Sequence, residues 1–220
     1  VCGSSLLESM SCAPSYGFDF ENLKIKSQVL LSNVRKEVQR LNELHEKFLK
    51  KANVELVKGW GEFKNSNCVV IKNRKNGEIL NELYGKKILI AVGGRPKIPS
   101  IQGASLSWTS DDMFLLKRFP NKITIVGAGY IACEFACILQ GLGVQVTQLV
   151  RGQRLLRGFD LELSSALTEA MQSKGINLRF GENVSSIKGI PGSLIIRTSL
   201  DKEYESNGLL FATGREQYLE

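Results

Sequence analysis

Residues 122–160 of this chain read KITIVGAGYIACEFACILQGLGVQVTQLVRGQRLLRGFD, and this stretch decides the fold. The apolar, β-branched run at 123–126 predicts a buried parallel strand that leads directly into a glycine turn and the start of a helix. Gly127 permits the sharp turn, and Gly129 lets the backbone come close to a pyrophosphate. The phosphates of a dinucleotide would then lie at the helix N-terminus, where free N–H groups and the helix dipole favour negative charge.

The second half of the stretch indicates which dinucleotide is preferred. Residues 144–150 form a second buried strand, which completes a βαβ unit. NAD-binding units carry an Asp or Glu at the end of that strand, where it holds the ribose 2′-hydroxyl. Here the position is Val150, and Arg151, Arg154 and Arg157 follow it. The missing carboxylate and the added cations favour NADP, with its extra 2′-phosphate, over an ordinary solvated basic loop.

The chain beyond this stretch continues the α/β pattern. Asp160 is placed to cap a third helix that ends at Lys174-Gly175. Four strand patterns follow, at 176–180, 184–187, 194–198 and 209–212, with an acidic turn before the last. We therefore predict a Rossmann-like, three-layer α/β domain over residues 121–215.

A long helix is predicted in the first part of the chain. It follows a helical piece within residues 1–18, and Asp19 with Glu21 provides its N-terminus. An apolar stripe along this helix, up to Phe48, predicts that one face packs on a core. The single histidine, His45, lies on this helix, and we interpret it as a surface residue rather than as an acid or base.

Short strand patterns follow the long helix. They lie at 54–57, 68–71, 79–84 and 87–92, with a strong turn signal at Asn76-Gly77. They predict an antiparallel meander that leads into a buried strand, ILIAV, which ends at Gly93-Gly94. A backbone without side chains can approach a ligand there, although a plain strand-end turn explains the same residues. Residues 95–120 hold three of the five prolines and are predicted as a connection between domains, with a short helix at 113–117.

Composition excludes several classes of function. The net charge is +7, yet Lys and Arg are spread along the chain and no aromatic-basic RNA motif occurs, so no nucleic-acid partner is expected. No apolar run is long enough to cross a membrane. The five cysteines lack metal-ligand spacing, so no metal is expected, and a reducing cytoplasmic location fits them best. We interpret Cys133 and Cys137 as buried structural thiols rather than as a redox pair.

Several motifs resemble one family over nearly the whole chain. GAGYIA followed by Glu134, and then VRGQRLLRGFD, is similar to the NADPH domain of the glutathione reductase group of flavoprotein disulfide reductases. ANVELVKG, ILIAVGGRPKIP, TSDDMFLL and FATGRE are similar to further segments of that group. The resemblance implies part of an FAD-binding domain at 1–94, the connection at 95–120, an NADPH-binding domain at 121–215 and a return to the FAD domain at 216–220.

The resemblance also implies cofactors, partners and site residues. The implied cofactors are FAD and NADPH, the substrate is a small disulfide such as glutathione disulfide, and the assembly is a homodimer. Tyr130 would shield the flavin and swing aside for nicotinamide, while Glu134 would support the flavin through a lysine outside this sequence. The expected NADPH contacts are Gly127, Ala128, Gly129, Tyr130, Ile131, Glu134, Arg151, Arg157 and Gly214. The expected FAD contacts are Trp60, Gly61, Val92, Gly93 and Arg215.

The family's redox cysteines, catalytic histidine and dimerisation region do not occur in this sequence. We therefore interpret the chain as an internal fragment that has no turnover of its own. A non-catalytic NADPH-binding module is an alternative. A further alternative keeps the enzyme class and changes the substrate to mercuric ion, trypanothione or dihydrolipoamide. The dihydrolipoamide enzymes use NAD and would require Glu at Val150, which argues against them.

Overall fold

The computed structural model describes residues 1–18 and 25–218. These residues form two compact units. One unit holds residues 1–35 together with the chain from residue 94 onward, and the other holds residues 36–93. Each unit contains β-structure of its own.

Two helices occupy the first part of the chain. Helix α1 covers Cys2–Cys12, and helix α2 covers Ser27–Lys51. The predicted start of the long helix, at Asp19 and Glu21, lies outside the described residues. The helix itself is confirmed over α2, but its predicted burial is wrong for most of the apolar stripe. Phe48 is 57 % exposed, for example, and Leu31 is the one buried residue that α2 contributes among the described residues.

The unit of residues 36–93 is built on a three-stranded antiparallel meander. Its strands are β1 (Trp60–Asn65), β2 (Cys68–Lys72) and β3 (Ile79–Tyr84), hydrogen-bonded in the order β1-β2-β3. Gly77 has φ +72° and its N–H donates to the Asn73 carbonyl at 2.8 Å, which confirms the predicted turn between β2 and β3. The meander is therefore confirmed, with β1 as a strand that the sequence analysis missed.

Two predicted strands of this unit do not form. Residues 54–57 have no regular structure, and the apolar run at 87–92 is irregular and exposed instead of buried. Leu89 is 88 % exposed, and Ile90 and Val92 are each 57 % exposed. A strand requires a neighbour to receive its backbone hydrogen bonds, and no strand among the described residues pairs with this run. The prediction from its apolar composition was wrong for that reason.

The other unit is an α/β domain. Strand β4 (Gly94–Pro96) and helix α3 (Ser110–Met113) precede it, followed by β5 (Lys122–Val126), α4 (Tyr130–Gly141), β6 (Gln145–Val150), α5 (Leu161–Ser173) and β7 (Asn177–Phe180). The chain continues with β8 (Val184–Ile190), β9 (Ser193–Thr198), β10 (Glu203–Ser206), β11 (Gly208–Phe211) and β12 (Arg215–Gln217). A parallel sheet has the order β11-β5-β6-β7, the antiparallel sheet has the order β10-β9-β8, and β12 pairs with β4.

Two hydrophobic clusters cover the two faces of the parallel sheet. On one face, Ile123, Ile125 and Val146 pack with Ala136 and Leu139 of α4. On the other face, strand residues pack against the β8–β10 sheet; this cluster comprises Val126, Leu149, Val184, Ile187, Leu194, Ile196, Leu209 and Phe211. Successive residues of a strand point to opposite faces, which explains the division. The arrangement confirms the predicted three-layer α/β fold.

Local signals position the helices of this unit. The Asp160 carboxylate accepts hydrogen bonds from the backbone N–H groups of Glu162 and Leu163, so the predicted cap of α5 is confirmed. The short helix predicted at 113–117 forms earlier, at Ser110–Met113. It begins there because Asp112 Oδ2 accepts from the backbone N–H of Thr109 at 2.7 Å, which satisfies a donor at the helix start.

None of the helices within residues 1–18 and 25–218 combines the length and the apolar character that a membrane span requires.

Candidate functional site

The glycine turn between β5 and α4 accepts only glycine at its first position. Gly127 has φ +141°, a region that L side chains rarely adopt. A Cβ atom added to it would lie 2.3 Å from the carbonyl oxygen of Ala212, which follows β11. The Gly127 N–H donates to the Leu149 carbonyl at 3.0 Å. The turn is therefore fixed against the ends of two neighbouring strands.

Gly129 faces open space. It is the N-cap of α4 with φ −80°, an ordinary backbone conformation, and a Cβ added to it meets no atom within 4 Å. Glycine is thus not required there by the fold of the chain. A phosphate group that comes close to the helix N-terminus needs this space, and a Cβ atom would reduce it.

A cleft of about 580 Å³ opens at this turn. It lies at the carboxyl ends of the parallel strands, where open α/β sheets bind ligands. Eight of the nine predicted NADPH contacts line it, namely Gly127, Ala128, Gly129, Tyr130, Ile131, Arg151, Arg157 and Gly214. Arg215, predicted from the resemblance as an FAD contact, lines the same cleft.

The cations of the cleft come from the loop after β6. Arg151, Arg154 and Arg157 all line the cleft, and all three side chains are exposed. None of them forms a hydrogen bond or ion pair with another residue of the described chain. Three guanidinium groups without a protein carboxylate beside them suit an anionic ligand, and a phosphate can accept two hydrogen bonds from one guanidinium group.

The loop that carries these arginines is anchored at its centre. Leu155 is fully buried in the core, and its carbonyl accepts from the buried Ser164 hydroxyl at 2.7 Å. Leu156, 9 % exposed, has φ +48° and donates its N–H to the Ala128 carbonyl of the glycine turn at 2.7 Å. The arginines on either side of this anchor are therefore held at a fixed distance from the turn.

Tyr130 and Glu134 lie on the same helix but face different spaces. Tyr130 is the first residue of α4, is 59 % exposed and lines the cleft. Glu134, one turn later, is exposed and lines a separate groove of about 1080 Å³ between α1 and α4, together with Val1 and Cys137. The structure thus brings Tyr130, but not Glu134, to the predicted NADPH contacts.

The far wall of the cleft is formed where β11 ends. Gly214 has φ +129°, and its carbonyl accepts from the Lys97 N–H at 3.0 Å. The Arg215 guanidinium donates to the Gly94 carbonyl, and Arg215–Gln217 pairs with Gly94–Pro96 in a two-stranded ribbon. The sequence analysis missed this ribbon because its strands are short and lie far apart along the chain.

The remaining predicted FAD contacts belong to the unit of residues 36–93. Trp60 and Gly61 begin β1, and the guanidinium carbon of Arg74 lies 4.8 Å from the centre of the Trp60 ring. Val92 and Gly93 end the irregular apolar run, and Gly93 has φ +69°. Their role in binding FAD stays a prediction.

The cysteines and the histidine fit the structural interpretation. All five cysteines are free. Burial raises the pKa of both the Cys133 and the Cys137 thiols, which lowers the thiolate fraction that redox chemistry needs. Cys133 is buried, whereas Cys137 is only half-buried. His45 is exposed on α2, as predicted. Residues 1–18 and 25–218 contain no group of three or more His, Cys, Asp or Glu that could hold a metal ion.

Two cleft-related residues escaped the sequence analysis. Asn183, in the loop after β7, lines the cleft, and Gln148 donates a hydrogen bond to the Gly127 carbonyl at 2.9 Å. A glutamine within the apolar strand pattern VTQLV was a signal for the second. No local pattern marks the first, because the end of β7 reaches the cleft only through strand pairing.

A buried carboxylate fixes the loop that holds Asn183. Glu182 is 2 % exposed and accepts hydrogen bonds from Lys202 Nζ at 2.8 Å and from the Tyr204 hydroxyl at 2.9 Å. Its backbone N–H donates to the Val150 carbonyl at 3.2 Å. Burial acts to raise the pKa of this carboxyl, but the hydrogen bonds from Lys202, Tyr204 and Thr198 outweigh burial, so its pKa lies below the ordinary value.

We expect Glu182→Ala to lower the free energy of unfolding by about 1–3 kcal/mol at neutral pH, because the half-buried Tyr204 hydroxyl and the Lys202 ammonium lose their acceptor and the buried space of the side chain is left unfilled. A carboxyl whose pKa is lower in the folded state stabilises the fold above its unfolded pKa, near 4.5, and loses that contribution as the pH falls through the folded value. Urea unfolding of wild type and variant at neutral and acid pH measures both effects. The exposed Glu203→Ala is the control, and an acid loss in Glu182→Ala as large as that of wild type would contradict the assignment.

The parallel sheet, the glycine turn before α4 and the cleft at the strand ends together define a Rossmann-type dinucleotide-binding domain. A family model described as pyridine nucleotide-disulphide oxidoreductase matches residues 8–220. The chain therefore belongs to the pyridine nucleotide-disulphide oxidoreductase family.

Several curated relatives are named glutathione reductase. Glutathione reductase from Nostoc sp. is 37 % identical over 217 residues, which cover 98 % of this chain and 46 % of that protein. Glutathione reductase from Burkholderia cepacia is 39 % identical over 179 residues, covering 81 % and 38 %, and the enzyme from Yarrowia lipolytica is 33 % identical over 212 residues, covering 92 % and 44 %. The chain thus spans less than half the length of these relatives.

Solved structures show the same fold. LpdA from Mycobacterium tuberculosis superimposes with a TM-score of 0.86 at 21 % identity, covering 99 % of this chain and 48 % of that one. The HOCl-induced flavoprotein disulfide reductase RclA from Escherichia coli gives a TM-score of 0.74 at 24 % identity, covering 86 % and 44 %. The predicted fold class is therefore confirmed.

Proposed function

We propose that this chain provides the NADPH-binding domain and part of the FAD-binding domain of a flavoprotein that reduces glutathione disulfide. One observation carries the choice of nucleotide. At the end of β6, where NAD-binding units hold a ribose hydroxyl with a carboxylate, the chain has Val150 followed by Arg151, and the arginine lines the cleft. A 2′-phosphate placed there would meet cations instead of a carboxylate.

Each part of the cleft has a task in this proposal. The N-terminal N–H groups of α4 and the open space at Gly129 suit the pyrophosphate, while Arg151 and Arg157 suit the 2′-phosphate. The exposed phenol of Tyr130, at the start of α4, would cover the flavin side of the nicotinamide position. When bound, the nicotinamide and the flavin supply the hydride and electron-transfer chemistry, and the chain orients them and selects the phosphate.

FAD binding is proposed for Trp60, Gly61, Val92, Gly93 and Arg215. The support is the resemblance of their segments to the family together with their conformations. Gly93 has positive φ and no side chain, so the backbone can come close to a ligand there. A homodimer is proposed on the same resemblance, whereas a cytoplasmic location without a nucleic-acid or membrane partner is proposed on the composition.

The proposed substrate is inferred from the names of the relatives. Those at 33–39 % identity over most of this chain are named glutathione reductase, which favours glutathione disulfide over mercuric ion, trypanothione or dihydrolipoamide. The second candidate is a non-catalytic NADPH-binding module, which uses the same cleft without turnover. Both candidates require the NADPH site.

An assay of the complete gene product tests the substrate. We expect NADPH oxidation to require glutathione disulfide, because the cofactor site and the relatives agree on that reaction, and we expect lipoamide with NADH to support no turnover. Oxidation that follows lipoamide and NADH would contradict the proposal. A gene product that binds NADPH but reduces none of the named substrates would favour the non-catalytic module.

A further inference from the structure

Gln148 is a fully buried amide beneath the glycine turn. It lies on β6, is 0 % exposed, and donates from Nε2 to the Gly127 carbonyl oxygen at 2.9 Å. The same nitrogen lies 3.8 Å from the Cys133 sulfur. The opposite orientation of the amide would place Oε1 against the Gly127 carbonyl oxygen, so only the orientation in which Nε2 donates satisfies that contact.

The next carbonyl of the turn is held in the same way. The Ala128 oxygen accepts from the Leu156 N–H at 2.7 Å. Two successive carbonyl groups of the turn are therefore engaged by donors from β6 and from the loop that follows it. The C=O of a trans peptide and the N–H of the next residue point to opposite sides. The N–H groups of Ala128 and Gly129 consequently point away from these donors and toward the cleft.

Those two N–H groups have no acceptor among the described residues. Ala128 is half-buried and Gly129 is exposed, so these two adjacent donors are free to bind the acceptor atoms of a ligand in the cleft. A pyrophosphate has oxygen atoms of the required kind. The direction of the Ala128 N–H depends on where Gln148 holds the Gly127 carbonyl, because the two groups belong to one peptide plane.

The side-chain oxygen of Gln148 is unsatisfied within the described chain, which makes the residue costly for the stability of the fold. Its Oε1 atom is buried and has no hydrogen-bond partner in the described part of the chain. A buried acceptor without a partner destabilises a fold, and an apolar side chain of the same size would avoid that penalty within this apolar strand. The amide is therefore better explained by the hydrogen bond it donates than by packing.

We propose that Gln148 is a positioning residue of the dinucleotide site, which sets the direction of the Ala128 N–H toward the pyrophosphate. The inference rests on the proposed nucleotide site and adds a residue outside the glycine motif. The pyrophosphate is common to NADPH and NADH. Loss of Gln148 should therefore weaken both nucleotides equally, whereas loss of a 2′-phosphate contact weakens NADPH alone.

Calorimetric titration of the full chain with NADPH and with NADH tests this inference. For Gln148→Leu we expect about tenfold weaker binding of each nucleotide, because the Ala128 N–H is no longer held in the direction of the pyrophosphate. The NADPH/NADH ratio should stay unchanged, and the variant should still unfold in one cooperative transition, because only one hydrogen bond to the Gly127 carbonyl is lost. Gln148→Met also lacks the donor, and its flexible side chain can fill the space if the branched leucine packs badly. It should therefore weaken both nucleotides to the same extent.

Gln140→Leu is the matched control. Its Oε1 atom is also buried without a partner in the described chain, but Gln140 lies on α4 and lines the groove toward α1 instead of the cleft. We expect its nucleotide affinities to equal those of wild type. Unchanged affinities in folded Gln148→Leu and Gln148→Met, an equal loss in Gln140→Leu, or a loss for NADPH alone would each overturn the inference. A wild-type chain that binds neither nucleotide would overturn the proposed function as well.

Discussion

Gly127→Ala is expected to destabilise the α/β unit by about 3–5 kcal/mol, through strain at positive φ and overlap with the neighbouring backbone. The added Cβ would lie 2.3 Å from the Ala212 carbonyl oxygen and 3.3 Å from the Ala132 side chain. Ala212 cannot move away easily, because its N–H donates to the Val126 carbonyl at 2.8 Å. Denaturant unfolding measures the loss, and nucleotide binding should disappear with the fold of the turn.

Gly129→Ala provides the matched contrast. Its φ is −80° and an added Cβ meets nothing within 4 Å, so the free energy of unfolding should fall by only about 1 kcal/mol, the cost of replacing an N-cap glycine with alanine. The methyl group would occupy space that the pyrophosphate needs, and we expect binding of NADPH to weaken by about 100-fold, or roughly 2.7 kcal/mol. A Gly129→Ala chain that binds NADPH like wild type would contradict the position of the pyrophosphate. A Gly127→Ala chain as stable as wild type would contradict the geometry of the turn.

Arg151→Glu should abolish the preference for NADPH. The substitution removes a guanidinium group from the cleft and places a carboxylate where NAD-binding units have one. We expect about 100-fold weaker binding of NADPH, from the loss of charge-assisted hydrogen bonds and the added repulsion, with NADH binding unchanged or improved. Calorimetric titrations of both nucleotides give the ratio directly.

Arg118→Glu makes the same change of charge at an exposed position that does not line the cleft. Its NADPH affinity should stay within about twofold of wild type at moderate salt, because exposed charges beyond the Debye length are screened. Similar losses in Arg118→Glu and Arg151→Glu would show that net charge, rather than a phosphate site, determines the affinity.

The sequence was sufficient where the decisive interactions are local. The elements from β5 to α5 could be predicted because apolar periodicity, the constrained Gly127 and the cap at Asp160 each act within a few residues. The same locality explains why the cleft contacts from 127 to 131 and the loop arginines were found in advance. These signals predict structure because the interactions behind them involve residues that are close in the sequence.

The predictions failed where the outcome depends on distant partners. The run at 87–92 has the composition of a buried strand, but a strand forms only where another strand accepts its hydrogen bonds. The short strands β10 and β12 form because β9 and β4 pair with them, which no local pattern reveals. Gln148 and Glu182 acquire their roles through contacts across the sheet, so only their types, and not their partners, could be read in advance.

The most direct test of the account is calorimetric titration of the wild-type chain with NADPH and with NADH under the same conditions. We expect the glycine turn to bind both nucleotides. NADPH should bind at least tenfold more tightly than NADH, because the loop arginines would contact its 2′-phosphate. Equal binding of the two nucleotides would mean that the arginines do not recognise that phosphate, and binding of neither would contradict the nucleotide site itself.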